Sequence, residues 1–264
     1  MNELRVATYN IRHGAGTDER LDLSRTARAI NDLAADVVGL QEVDDQLGDR
    51  SAFEDQTARL GELTGMRAVF GPVIDRGPGR SGGRRRYGLA LLSRHEIAEH
   101  RLELLPAHPG RPAPREPRGV LVARLMTPAP LHVLVTHLDN RNRAHRAAQM
   151  LGILRLAASL EGPAVLSGDM NADPSAPELA PLGAAGWRDA AREAEGRAAL
   201  LPPPHPLALL TTALLRRPRP TFPAVRPRRR IDSIWVRGDI RVDELTVGAT
   251  TASDHRPVVA ALRL

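Results

Sequence analysis

Apolar and polar positions alternate through Leu4–Asn10, and the run stops on an amide, which predicts a strand ending at Asn10. Over Arg20–Ala35 the apolar residues Leu23, Ala27, Ile30, Leu33 and Ala34 recur at helical spacing. Asp36–Val43 reads as a second strand with Glu42 at its end, and Phe53–Leu63 as a second helix. Strands follow at Met66–Phe70 and Tyr87–Ser93. The Gly- and Arg-rich stretch between them, Gly71–Arg86, is expected to be a mobile surface loop that packs no core. Ile97–Leu105 and Gly119–Met126 flank a second breaker-rich loop, Pro106–Pro117. Leu131–Leu138 is a strand that ends near His137, and Arg143–Leu160 is a long helix with Ala147, Met150, Leu151, Leu154 and Ala158 on one face.

The next segment organises the rest. Gly162-Pro163-Ala164-Val165-Leu166 is short and apolar between a breaker and a polar turn, which predicts a buried strand. Gly168 lets the backbone leave it sharply, placing Asp169 and Asn171 at the carboxyl end, where open α/β sheets bind ligands. After Trp187 the pattern weakens. Leu201–Arg230 holds eight prolines and seven arginines and is given no regular structure beyond a turn of helix near Leu207–Leu215. Ile231–Arg237, Ile240–Val247 and Pro257–Leu262 close the chain as strands. No solenoid-period repeat and no lasting change of composition divides the 264 residues, so one domain spanning 1–264 is expected.

Composition changes this picture in three respects. Cysteine is absent, which excludes disulfides and thiolate metal sites. The longest uncharged run, Ala198–Leu215, is broken by four prolines and a histidine, so no membrane insertion is expected. No apolar leader follows Met1, and the expectation is a cytoplasmic monomer. Net charge is +6 and every basic residue is arginine, whose planar fork suits phosphate, although the same bias accompanies a GC-rich genome.

Several predicted strands end in residues of catalytic type: Asn10, Glu42, His137, Asp169 with Asn171, Asp232 near a strand start, and Asp254-His255 before the last strand. Taken singly each is ordinary, a turn cap, a solvated end or a hydrogen-bonded histidine. Their wording in order is not. Thr8-Tyr9-Asn10-Ile11, Leu40-Gln41-Glu42-Val43, Gly88–Arg94, Thr136-His137-Leu138, Gly168-Asp169-Met170-Asn171, Arg230-Ile231-Asp232 and Ser253-Asp254-His255-Arg256-Pro257 resemble the motif series of the endonuclease/exonuclease/phosphatase superfamily. The resemblance implies an α/β (α+β) fold, a four-layer α/β/β/α sandwich of two mixed β-sheets of DNase I-like type. It also implies Mg²⁺-dependent phosphoester hydrolysis, with Mn²⁺ as a substitute.

Roles follow from that resemblance. Glu42 matches the metal-binding glutamate, with Asn10 and Asp254 completing a hard-oxygen set. Asp169 matches the residue that orients or deprotonates the attacking water, and Asn171 the amide that touches the phosphate. His255 matches the histidine at the scissile phosphate and Asp232 the carboxylate that holds its ring. Whether His255 acts as imidazolium or as base is left open. His137 and Arg118 stand where relatives place phosphate-contacting groups. Further candidates for the substrate phosphate are Tyr87, which opens its strand, Asn140 in His137-Leu138-Asp139-Asn140, which departs from the abasic-site wording of the family, and Arg230 in the arginine run that leads into Ile231-Asp232. The substrate is a phosphoester, with a DNA or RNA backbone as the first reading and a small metabolite or lipid headgroup as the second. A non-catalytic nucleic-acid binder comes last. Aromatic content of 3% supplies few stacking platforms for single-stranded bases. The Gly71–Arg86 stretch and the segment around Thr221-Phe222-Pro223 are expected to select the substrate.

Overall fold

The strand and helix signals resolve into two six-stranded sheets packed face to face. The computed structural model of the chain describes residues 3–78, 82–200 and 220–264. The first sheet is built from β1 (Glu3–Asn10), β2 (Val37–Asp45), β3 (Arg67–Pro78), β4 (Arg84–Ser93), β11 (Arg241–Val247) and β12 (Val258–Arg263), in the order β11-β12-β1-β2-β4-β3. The second comprises β5 (Glu96–Leu104), β6 (Gly119–Met126), β7 (Leu131–His137), β8 (Ala164–Asp169), β9 (Arg188–Asp189) and β10 (Asp232–Arg237), in the order β5-β6-β7-β8-β10-β9. Each sheet is antiparallel except at its centre, where β1 pairs β2 and β7 pairs β8 in parallel. Those two pairs point the carboxyl ends of four strands towards the functional residues.

Alternation along the central strands explains the layering. Val6, Val37, Leu91, Val133, Val135 and Val165 face into the space between the sheets. Their neighbours Ala7, Val38, Leu40 and Leu92 face outward, under α1 (Leu23–Asn31) and α2 (Gln56–Thr64). On the other side Val122, Leu134 and Leu166 lie under α3 (Arg143–Ala158) and α4 (Ala180–Ala184), with Trp187 and Trp235. A further helix, α5 (Ala190–Leu200), follows β9. Strands buried on both faces read as near-continuous apolar runs, as these do. Helix starts are set by side-chain caps: Asp22 accepts from Arg25 N at 2.8 Å, Asp55 from Ala58 N at 3.0 Å and Asn142 from Ala144 N at 2.9 Å. Gly39 lets the two sheets approach, since a Cβ there would lie 2.8 Å from Val135 Cγ2.

One expectation is corrected. Residues 71–78 and 84–86 belong to a long β3–β4 hairpin, not to a loop, with Gly71 opposite Leu89, Asp75 opposite Arg86 and Arg76 opposite Arg85. The prolines survive in β3 because it is an edge strand. The helical turn predicted near 207–215 lies outside the described residues. Among the described residues no helix is long and apolar enough to cross a membrane.

Candidate active site

The register of the strands does the gathering. In the parallel β7–β8 pair His137 stands opposite Asp169, and in the antiparallel β8–β10 pair Asp232 stands opposite Asp169. Gly168 makes this close approach possible: its φ is +156°, and a Cβ would sit 1.9 Å from the Thr136 carbonyl oxygen. Across the sandwich, Asn10 ends β1 and reaches over to the other sheet. Its Nδ2 donates to Asp169 Oδ2 at 3.1 Å and to Glu42 Oε1 at 3.0 Å, while its Oδ1 accepts from Arg12 N at 3.0 Å. The loop before β12 is fastened to the same end of β1, because Ser253 Oγ donates to Asn10 O at 2.7 Å and accepts from His255 N at 3.2 Å.

Glu42 reaches the site through strain. Gln41 and Glu42 form a bulge opposite β4, where the register jumps between Leu40 and Val43, and Glu42 takes a φ of 58°. A bulge of this kind re-aims one side chain that the regular pleat would send elsewhere. Asn171 carries a second such backbone, with a φ of 50°. Its N–H donates to Asp169 Oδ1 at 2.9 Å and its Nδ2 to Leu138 O at 3.0 Å, which locks both residues at the end of β8.

His255 sits between two buried carboxylates. Its Nδ1 donates to Asp232 Oδ2 at 3.0 Å and lies 3.1 Å from Asp232 Oδ1, and its Nε2 is 3.7 Å from Asp169 Oδ2. Burial alone would lower its pKa, but Asp232, Asp169 and Asp254 together raise it to about 10, so the ring is an imidazolium at neutral pH. Burial pushes Asp169 upward, to about 7; Asp232 adds to this and His255 opposes it. Glu42 is raised in the same sense by burial, against the hydrogen bond from Asn10 and the pull of His255. His137, with Nε2 3.4 Å from Asp169 Oδ2, is held neutral: burial, Arg118 and His255 all push it well below its usual value. The two histidines of one centre therefore carry different charges.

Around this centre the other residues divide. Arg118 is buried and donates from Nη1 to Glu116 at 2.5 Å, while its Nε has no partner among the described residues. Arg118, Tyr87 and His137 line one small cavity. Tyr87 is raised well above its usual pKa by burial and by Glu42 and Glu116. Asp254 is half-buried, with Oδ2 3.9 Å from Arg12 Nε. Arg230 is not brought to the phosphate-contacting face: its guanidinium forks onto Asp189 at 2.9 and 2.6 Å and is thereby committed. Asn140 is exposed and makes no hydrogen bond to the central residues, where Asp139 takes the structural role by capping Arg141 N and Asn142 N.

Three participants escape the sequence reading. Arg12 fixes the Asn10 amide through its own N–H, and its guanidinium closes on Glu19 at 2.8 and 2.7 Å. Its φ of 46°, shared by His13, follows from a turn that Gly14 completes, and the Asn10-Ile11-Arg12-His13-Gly14 wording is the only signal for it. Glu116 bears on both Glu42 and Tyr87. Arg50 clamps Asp44 and lies over the Tyr87 ring. Phe222, in the segment assigned to substrate selection, packs its ring 4.8 Å from that of His255.

What could hold a cation is constrained by these charges. Asp169, Asp232 and His255 each place a ligand-type atom within 4.8 Å of the others. An imidazolium has no lone pair to offer, however, and Asp232 is already spent on its ring. The other side of Asp169 is different. There Asn10 Nδ2 bridges Glu42 Oε1 and Asp169 Oδ2, Asp254 bears on Glu42 electrostatically, and burial raises the pKa of both Glu42 and Asp169. Hard oxygens in electrostatic deficit fit a divalent cation.

The comparisons with known proteins give the family and the fold. The profile of the Endonuclease/Exonuclease/phosphatase family matches residues 7–255. Among curated proteins none matches the chain. Of solved structures, an endonuclease/exonuclease/phosphatase from Beutenbergia cavernae is 25% identical with a TM-score of 0.77, covering 100% of this chain and 72% of its own. A mannosyl-6-phosphatase from Bacteroides thetaiotaomicron is 20% identical at a TM-score of 0.68, covering 99% of this chain and 100% of its own. The human nocturnin catalytic domain with bound sulfate is 19% identical at 0.68, covering 99% and 94%. With its motifs gathered at one end of a four-layer sandwich, the chain belongs to the endonuclease/exonuclease/phosphatase family and is a metal-dependent phosphoester hydrolase.

Proposed function

We propose that this centre hydrolyses a phosphoester with Mg²⁺, or Mn²⁺ in its place, by in-line attack of water. The observation that carries the reading is the arrangement about Asp169: the His255 ring, held by Asp232, lies on one side, and the carboxylate of Glu42, tied through Asn10, on the other. Glu42 and Asp254, with Asn10 holding Glu42 in place, are the residues to hold the ion. When bound, it neutralises phosphate oxygens and makes phosphorus more electrophilic.

The remaining work falls to the chain itself. Asp169, raised towards neutrality by burial, orients a water and takes its proton as the new O–P bond forms. The P–O bond to the leaving oxygen breaks on the opposite face, and that oxygen takes up a proton from solvent. His255 donates from Nε2 to an equatorial oxygen, with Asp232 keeping the ring protonated and turned. Neutral His137 and buried Arg118 donate to the same phosphate, as does Asn171 through the Nδ2 hydrogen not given to Leu138 O, and Tyr87 lies beside them.

The two substrate classes read from the sequence change order here. Arginines flanking the centre are already matched by carboxylates: Arg12 by Glu19, Arg50 by Asp44, Arg118 by Glu116 and Arg230 by Asp189. A nucleic-acid backbone is tracked by unmatched cations, whose counterion release gives affinity. This favours a small phosphoester. The nucleic-acid reading keeps one specific support, the exposed Arg226, Arg228 and Arg229 on the segment that carries Phe222. The test is turnover of bis-p-nitrophenyl phosphate, sugar phosphates, phospholipids, oligonucleotides and plasmid, with and without Mg²⁺, at low and high salt. Small-ester turnover that needs Mg²⁺ and barely responds to salt supports the proposal. Preference for plasmid with a steep salt dependence restores the nuclease. Asp169→Asn should remove about 10²–10⁴ of the rate in either case; full activity in that variant overturns the mechanism.

A further inference from the structure

A groove of about 450 Å³ opens beside Glu42, within the range of ligand clefts at roughly 300–1,000 Å³. Asp49, Arg50, Ile74, Arg76, Tyr87 and Glu116 line it. It borders the centre: Tyr87 lines both the groove and the small cavity that Arg118 and His137 share, and Glu116 holds Arg118. Its walls come from the β2–α2 connection, the β3–β4 hairpin and, through Glu116, the β5–β6 connection.

The chemistry of the groove is mixed. Arg50 is fixed, with Nε and Nη2 on Asp44 at 2.8 and 2.7 Å and its guanidinium 5.5 Å from the Tyr87 ring centre. That leaves Nη1 as a pre-set donor. Glu116 gives one oxygen to Arg118, and its second has no partner among the described residues. Asp49 and Arg76 are exposed at the rim. Two carboxylates thus face two guanidiniums, over an apolar strip of Ile74 and the Tyr87 ring. A polyanion would set its phosphates against Glu116 and Asp49, and a hydrocarbon chain would strip water from ionic walls. Hydroxyl groups suit the groove, because each donates to a carboxylate and accepts from a guanidinium, while a ring face rests on the apolar strip.

We propose that this groove seats the non-phosphate part of the substrate and that this part is a polyol, a sugar or a comparable hydroxyl-rich group. The inference rests on the hydrolytic reading above and specifies its substrate. The test compares kcat/KM with Mg²⁺ for hexose and glycerol phosphates against p-nitrophenyl phosphate, which has the same charge and no hydroxyls, and against an oligonucleotide. Wild type should favour the best polyol ester over the aryl ester by ~10-fold or more, since the fixed donors and acceptors of the groove pair with hydroxyls that the aryl ester lacks. Glu116→Gln and Asp49→Asn should each shrink that ratio by a similar factor, mostly through KM. A ratio unchanged in both variants, or an oligonucleotide preferred over every polyol ester, overturns the assignment. If the aryl ester is hydrolysed and polyol esters no better, the groove reading fails alone. If no ester is hydrolysed with Mg²⁺, the hydrolytic roles fail and take the groove assignment with them.

Discussion

Replacing Asp232 by Asn tests the electrostatic core of the site without changing its shape. In the native protein two carboxylates hold His255 protonated: Asp232 at 3.0 Å and Asp169 at 3.7 Å. Raising the imidazole from 6.5 to about 10 corresponds to a preference of about 5 kcal/mol for the charged ring, at ~1.4 kcal/mol per pH unit. Asp232 is the largest favourable contributor, and removing an opposite charge at this range lowers a pKa by roughly one to three units, with burial pulling the same way. The folded-state value lies above the unfolded one. The pair therefore stabilises the fold fully below about pH 6.5, and the contribution is lost as pH climbs towards 10. The direct assay is a pH titration of the His255 ring nitrogens by NMR in chelator-treated protein, joined to the pH profile of kcat with Mg²⁺. Wild-type His255 should stay charged past pH 9. In Asp232→Asn the titration and the alkaline limb of kcat should both move down by roughly one to three pH units. A variant whose ring titrates where the wild type does would refute the claim that Asp232 sets the charge of His255.

Three further outcomes follow from particular contacts. Glu42→Gln should raise the Mg²⁺ concentration for half-maximal activity at least ~10-fold and, at the Mg²⁺ level that is about 100 Kd for the wild type, cut the stabilisation from about 2.7 to about 1.4 kcal/mol or less; an unchanged metal titration removes Glu42 from the ligand set. Arg230→Met should leave kcat within a few-fold of wild type but destabilise the fold by roughly 1–3 kcal/mol in a denaturant melt, because among the described residues buried Asp189 then keeps only Arg192 at 3.9 Å and the Ala191 N–H; a large kcat loss at unchanged stability would return Arg230 to the phosphate. Gly168→Ala should destabilise by about 3 kcal/mol or more, since its methyl group has no room beside the Thr136 carbonyl. Normal stability there would contradict the tight β7–β8 approach.

The legible part of the molecule is the part with regular period. β1, β2, β7 and β8 are buried on both faces and read as apolar runs, so the ends of β1, β7 and β8, and with them Asn10, His137 and Asp169, could be located, whereas Glu42, read as a strand end, lies inside β2, which runs on to Asp45. Convergence was legible only as an ordered set of motifs, because nothing local tells Asp232 that it will stand opposite Asp169 and take the His255 ring from a loop of the other sheet. The β3–β4 hairpin was hidden by Gly71, Pro72, Gly77 and Pro78, which edge pairing with β4 tolerates and local propensity does not. The bulge that aims Glu42 leaves no mark in Leu40-Gln41-Glu42-Val43. Arg230 illustrates a different obstacle: an arginine run next to a catalytic aspartate suggests phosphate, but its partner is fixed by β9, a two-residue strand too short to carry a period. Glu116 and Arg50 lie in connections, where tertiary contacts alone decide which way a side chain points.

The most direct measurement is an anomalous-diffraction map from crystals soaked in Mn²⁺ and inorganic phosphate. The account predicts a manganese peak against the carboxylate oxygens of Glu42 and Asp254, with the phosphate between that ion and the ring of His255, in reach of His137 and Asn171. A manganese peak instead among Asp169, Asp232 and the His255 ring would mean that His255 is a neutral ligand, and it would contradict the division of charge on which the mechanism rests.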